Sequence, residues 1–418
     1  MPGKQQARDQ FQARDNAVRP LEGVRVLDLS KVLAGPLCAQ YLGDLGADVI
    51  KVEPPGGGDE TRSWTPQREG EAAAFMAVNQ NKRGIAVDMK SPEGMEIIRQ
   101  LVEKSDVVIQ GFASGTARKL GVDYESLKQI NSRIVYCEIS GYGRDGPMGN
   151  EPGYDVMLQA FSGMISTIGQ RGGPAARVSF SPVDLGTGMH ATSGILAGLM
   201  NRATTGEGCY VEVSLLDTAM GFMGYMASNY WFSNAVPVRM GMAHPSLCPY
   251  QAFRTQNGEV MLGVGNDRIW KKFCAEAGLV EYMEDPRFKT NADRVKNFDA
   301  TCDIVQARLL SDTTESWIKR LRAAGVPISP LHTLAEALEH EQVVARGIVV
   351  ESEHVRLGKI RHVAYPVSFN KAAREVRRAP PMLGEHTREI LAELGYAPEA
   401  ISSLADTGIV GALSEKNP

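Results

Sequence analysis

Apolar residues in this chain fall into two alternating patterns. Short β-branched runs are followed by longer stretches with helical spacing. Residues 24–29 (VRVLDL) read as a strand, Ala34-Gly35-Pro36 as a turn, 37–45 as a helix and 47–52 (ADVIKV) as a second strand. The order repeats: 92–103 is helical, while 106–110 (DVVIQ) and 133–139 (RIVYCEI) are extended. A long helix rich in Gly, Ala and Met covers 186–203, and 210–215 forms another strand. Strands alternating with helices predict an α/β fold with a parallel sheet covered on both faces. Ligands in such sheets bind beyond the carboxyl ends of the strands, so the loops there are where chemistry is expected.

Residues 217–232 are apolar and interrupted by Gly221 and Gly224, which fits a passage between domains. A second unit then opens with a hairpin, 250–254 and 260–264, around Gln256-Asn257-Gly258. Charged helices follow, and from 327 the pattern returns to mixed α/β and ends in helices. The expected organisation is a tail over 1–20, a large α/β domain from 21–225 and 327–418, and a small domain over 226–326. The tail is polar and Gln-rich and lacks the apolar stretch of a secretory signal, so it reads as disordered.

Composition narrows the class of protein. At 418 residues, 43% hydrophobic and 22% charged, the chain is an ordinary globular sequence large enough for two domains. A net charge of −4 argues against a protein that lives on nucleic acid. No run approaches the roughly 20 apolar residues of a membrane helix. The six cysteines form no C-x-x-C pair and have no zinc-finger spacing to histidine, so they read as thiols of a reducing cytoplasm, with no metal expected.

Common catalytic signatures are missing. No G-x-G-x-x-G follows a strand, which disfavours a nicotinamide-dependent oxidoreductase, and there is no Walker A motif, G-x-S-x-G elbow or H-E-x-x-H. What remains is a set of Gly-containing turns after strands, Ala34-Gly35-Pro36, Gly56-Gly57-Gly58-Asp59 and Gly141-Tyr142-Gly143. Each taken alone reads as plain turn chemistry. A fourth segment, SPVDLGTGMH, places Asp184 after a β-prone run (178–180) and before a Gly-rich helix start. By pattern alone, Asp184 is either a reactive carboxylate at a helix N-terminus or an N-cap.

Several long motifs, in order, carry a resemblance. They are LEGVRVLDLSKVLAGP, LGDLGADVIKVEPPGGGDETR, NKRGIAVDMKSPEG, SGYGRDGP and PPMLGEHTREIL. With them the chain resembles the class III CoA-transferases, the family of formyl-CoA and carnitine CoA-transferases, from Leu21 to about Leu394. The resemblance implies a Rossmann-like large domain built from both chain ends, a smaller α/β domain, and a homodimer whose subunits interlock. It implies that CoA is a co-substrate, with no permanent cofactor. It puts the family's nucleophile on Asp184. Its CoA-contacting positions fall on Leu33 and Ala34, on Val87, Asp88, Met89 and Lys90, on Gly111, Phe112 and Ala113, on Lys119, and on Ser140, Gly141, Tyr142 and Gly143. Two positions depart: a CoA-contacting Arg of formyl-CoA transferase falls on Pro54, and an Asn falls on Gly111.

The same resemblance bears on the reaction. The α-methylacyl-CoA racemases of this family pair the aspartate with a His in G-H-D, where this chain reads Gly153-Tyr154-Asp155. Tyrosine is a poor proton shuttle near neutral pH, which favours transfer over racemisation. In place of the Gly-rich loop of the oxalate enzymes stands GMAHPSLCPYQAF, similar to the succinyl-CoA:glutarate type, so a dicarboxylate acceptor and succinyl-CoA as donor are expected. Arg177 and His244 are candidates for its distal carboxylate. A CoA-binding protein without catalysis is the alternative of another class, and Asp184 beside Gly186 and Gly188 speaks against it.

Overall fold

The computed structural model describes residues 18–412, so most of the expected tail lies outside the described residues. Val18 to Pro20 is described, and Arg19 there pairs with Glu375.

The chain runs β1 (Arg25–Asp28), α1 (Ala34–Asp44), β2 (Asp48–Glu53), β3 (Lys82–Val87), α2 (Pro92–Glu103), β4 (Val107–Gln110), α3 (Tyr124–Ile130), β5 (Val135–Ser140), α4 (Asp155–Phe161), α5 (Pro182–Thr205), β6 (Cys209–Ser214), α6 (Leu215–Phe222) and α7 (Gly224–Ser233). β1 and β4 are buried nearly throughout, which is why their sequences are apolar runs rather than alternations. α2 begins where the pattern predicts, because Ser91 accepts the Gly94 N–H and Pro92 takes the first helical position. Three expectations differ. Ala34-Gly35-Pro36, read as a turn before a helix over 37–45, is the first turn of α1, which starts at Ala34. β3 is absent from the predicted strands because it opens with charged Lys82 and Arg83, which are buried in ion pairs. The β-prone run 178–180 is irregular rather than a strand.

Next come β7 (Tyr250–Arg254), β8 (Glu259–Gly263), α8 (Asp267–Ala277), α9 (Phe298–Leu309), α10 (Thr314–Ala323) and β9 (Ile328–Pro330). β10 (Val349–His354), β11 (Gly358–Val363), α11 (Thr387–Glu393) and β12 (Val410–Gly411) complete the elements used below.

Two compact units result. Among the described residues the larger comprises 18–162, 179–225 and 341–412, and the smaller 163–178 with 226–340. The large-domain segment was expected to resume at 327. Instead β9 pairs antiparallel with β8, so the chain stays with the smaller unit up to 340. Residues 163–178 also join the smaller unit, where the Gly241 N–H donates to the Gly169 carbonyl and Arg239 Nε to the Gly173 carbonyl.

In the larger unit seven strands run in the order β12-β3-β2-β1-β4-β5-β6. All pairs are parallel except that of β12 with β3. Ile85, Val108 and Tyr136 face one packed layer with Ile97 and Leu101 of α2, Leu127 of α3 and Ile390 of α11. α1 and α5 pack together against the sheet. The smaller unit has its own core, centred on Trp270, Phe273, Phe288 and Trp317.

Candidate active site

From β1 the strand order departs in two directions, through β2 to β3 and through β4 to β6. A crevice opens at such a switch point, beyond the carboxyl ends of the two strands that part there. Here the turns leaving β1, β4 and β5 line a cavity of about 420 Å³. The first turn contributes Lys31 to Gly35, the second Gly111 to Ser114, and the third Ser140 and Gly141. Tyr154 and Asp184 complete the wall.

Close backbone approach shapes these turns and the start of α1 that follows the first of them. A Cβ on Gly35 would lie 2.3 Å from Ser30 Cβ, so only glycine fits in Ala34-Gly35-Pro36. A Cβ on Gly141 would lie 2.7 Å from the Gly153 nitrogen, so two backbone strands touch beside the cavity. Gln110 Oε1 accepts the Phe112 N–H at 2.7 Å, and Ser140 Oγ accepts the Gly143 N–H at 3.1 Å. Leu33 gives α1 no side-chain cap, which leaves the first N–H groups of that helix available at the cavity wall.

Asp184 is not an N-cap. The cap position belongs to Ser181, whose side chain makes no capping bond, and Asp184 is the third helical residue of α5. The orphan amides of that helix are taken by another carboxylate. Asp155 Oδ2 accepts the N–H of Val183 at 2.7 Å and that of Asp184 at 3.1 Å. Asp155 is 5% exposed and also receives the Gln159 amide. Asp184 thus sits at a helix start whose dipole is already engaged, and no side-chain donor among the described residues reaches its carboxylate. Burial first, and the negative Asp155 second, raise its pKa from 3.8 to about 7. A desolvated, unsolicited carboxylate in a cavity edged by amides can attack an acyl carbon, and the amides can receive the oxyanion that forms.

Of the positions carried by resemblance, Leu33, Ala34, Gly111, Phe112, Ala113, Ser140, Gly141 and Asp184 come together in this lining. The others lie outside it. Val87 is buried at the end of β3, Asp88 receives the Lys90 N–H, and Met89 packs on the core. Lys90 and Lys119 are exposed, Tyr142 lies edge-on to Phe161, and Gly143 belongs to the turn held by Ser140. Arg177 and His244 are in the smaller unit. Arg177 is exposed, whereas the His244 ring meets Tyr250 edge-on and its Nδ1 accepts the Ser246 N–H.

Several lining groups escaped the sequence reading, three of them with a visible structural role. Lys31 stands at the rim and pairs with Glu60. Arg144 ties the third turn to the second by bonding Glu138 and donating to the Phe112 carbonyl at 2.7 Å. Val32 sits at φ +71°, a conformation with no signature in a β-branched residue. Among the described residues no group of three His, Cys, Asp or Glu could hold a metal ion.

A family model described as CoA-transferase family III matches residues 21–387. The chain belongs to CoA-transferase family III. This family III chain is 38% identical over 397 residues to the succinyl-CoA:glutarate CoA-transferase of Mus musculus, covering 94% of this chain and 91% of that one. It is 37% identical to the succinate–glutarate CoA-transferase of Agrobacterium fabrum, over 91% and 96% of the two chains. Among solved structures, a CAIB/BAIF family protein from Brucella suis superposes with a TM-score of 0.80 at 37% identity, over 91% of this chain and all of that one. The protein is therefore a CoA-transferase with a mixed α/β fold, as its motifs implied.

Proposed function

We propose that this enzyme moves CoA from succinyl-CoA to a dicarboxylic acid through a thioester on Asp184. The observation that carries the reading is the Asp184 carboxylate itself, desolvated and, among the described residues, met by no side-chain donor in the cavity at the switch point. In its ionised form it attacks the donor carbonyl, and the C–S bond breaks to give a mixed anhydride and CoA thiolate. The thiolate attacks the aspartyl carbonyl and expels the donor as its carboxylate. The acceptor carboxylate then attacks the aspartyl thioester, and the released thiolate takes the acyl group from the second anhydride, restoring Asp184. One thioester replaces another, so no ATP is consumed. Excluding water protects both anhydrides.

The amides of Ala34 and Gly35, at the uncapped start of α1, are suited to the oxyanions. Leu33, Ala34, Phe112 and Ala113 are proposed to meet the pantetheine arm, and Lys90 and Lys119 the phosphates. Arg177 and His244 are proposed for the distal carboxylate of the acceptor. Similarity to glutarate-using relatives across most of the chain supports a dicarboxylate acceptor. We place the enzyme in the cytoplasm as an interlocked homodimer. Exposed Met200, Trp231 and Phe232, the last 95% accessible in the single chain, supply apolar surface for a second copy.

The test is a panel of carboxylic acids offered with succinyl-CoA, products being read by mass spectrometry. A CoA ester of a dicarboxylate should appear, and hydroxylamine should trap an aspartyl species on residue 184. Asp184→Ala should lose transfer by at least about 10³-fold and still bind CoA. A variant that keeps transferring would remove Asp184 from the mechanism.

A further inference from the structure

Beneath the cavity lies an ion network that the transfer scheme does not use. Four of its charges are shut away from solvent. Asp28, Lys51 and Lys82 are 0% exposed, and Asp59 is 4%. Lys82 Nζ reaches Asp28 at 2.9 Å, and Lys51 Nζ reaches Asp59 at 3.0 Å. Apolar side chains of similar size would generally cost less than buried charges, so a purely stabilising role explains them poorly.

Their remaining bonds converge on one turn. Asp28 accepts the Ser30 N–H at 3.0 Å, and Lys51 donates to the Ser30 carbonyl at 3.0 Å. Asp59 accepts the Val32 N–H with both oxygens, at 3.3 and 3.2 Å. Lys82 donates to the Pro36 carbonyl at 2.8 Å, and so fixes the first turn of α1. Asp59 is itself locked, since it accepts the Thr61 N–H and hydroxyl while its own N–H donates to Glu53. The turn gripped in this way contains Val32 at φ +71°. A β-branched residue is strained there and stays only when its surroundings over-determine it.

We propose that Asp59, braced by Lys51, is a positioning residue that holds the strained Val32 turn so that Leu33 and Ala34 present a fixed wall to the acyl-CoA. The inference rests on the reading of this cavity as the acyl-CoA site. Asp59 itself touches the turn and not the reacting atoms. The Gly-rich segment Gly56-Gly57-Gly58-Asp59 thereby acquires a purpose: it delivers this carboxylate beneath the β1 turn.

Steady-state kinetics on the full-length enzyme test the proposal. Asp59→Asn keeps the shape and loses the charge. It should raise KM for the acyl-CoA about ten-fold and leave KM for the acceptor acid within two-fold. Adding Val32→Gly to Asp59→Asn should recover at least a third of that loss, because glycine holds a positive φ without strain. Should Asp59→Asn fold poorly, the Lys51→Met/Asp59→Leu pair leaves neither partner as an unpaired buried charge and should show the same selective rise. An unchanged KM for the acyl-CoA in whichever variant folds, an equal rise in both KM values, or no recovery with Gly at 32 would each overturn the proposal. The underlying site reading fails differently, by transfer persisting in Asp184→Ala.

Discussion

At the scale of residues, two aspartates divide one helix start between them. Asp155 takes the amides, and Asp184 is left to the cavity. With its pKa near 7, Asp184 is only partly ionised at neutrality. kcat/KM should therefore rise with pH through about 7, since the proposed attack needs the carboxylate. Asp155→Asn keeps an acceptor for the amides and removes the neighbouring charge, so the rising limb should move to lower pH. A pH–rate profile of both enzymes checks this, and an unmoved limb would mean that burial alone sets the pKa. Stability has the opposite sense. The unfolded chain ionises Asp184 from 3.8, whereas the folded chain holds its proton to about 7. This group therefore costs the fold progressively more between these values, and the full cost stands above them. Asp184→Asn should melt higher than the parent, by a margin that widens from pH 4 to pH 8.

At the scale of elements, glycines decide how closely helices and turns approach. A Cβ on Gly188 of α5 would come within 2.7 Å of the Ala34 carbonyl oxygen, which is backbone and cannot swing aside. Gly188→Ala should therefore separate α5 from α1, at a cost of about 1–3 kcal/mol in thermal or urea unfolding. Because α1 and α5 carry Ala34 and Asp184, activity should fall further than the folded fraction. Those elements were also the ones legible in the sequence. β1 and β2 announce themselves because burial on both faces demands continuous apolar runs, and Asn257-Gly258 marks the β7–β8 hairpin. β3 was hidden because Lys82 and Arg83 look solvated in the sequence, yet their charges are neutralised by residues far along the chain. The run at 178–180 has strand composition yet is irregular, because composition alone does not set the path of the chain.

At the scale of the whole molecule, the α/β class followed from periodicity, whereas the site did not. Asp184 was an ambiguous helix-start carboxylate until the long motifs placed it. What local pattern could not show is that Asp155, 29 residues earlier, would cap its helix, or that Asp59 would brace the β1 turn. Such contacts are set by topology, through segments that meet only when the sheet is assembled. The proposed homodimer belongs to this scale too. Light scattering should give about twice the 45.4 kDa chain mass. Trp231→Asp with Phe232→Asp should shift the enzyme toward monomer with loss of activity.

The outer edge of the sheet has a consequence for synthesis. β3 is flanked on that side by β12, a strand made more than 300 residues later. A growing chain on the ribosome therefore carries β3 with an open flank while the intervening smaller unit, which is nearly contiguous, emerges and becomes free to fold. The proposed active-site cavity belongs to the unit whose last strand is made last. Transfer activity should appear in nascent chains only after residue 411 has left the exit tunnel, well after the smaller unit has gained resistance to protease.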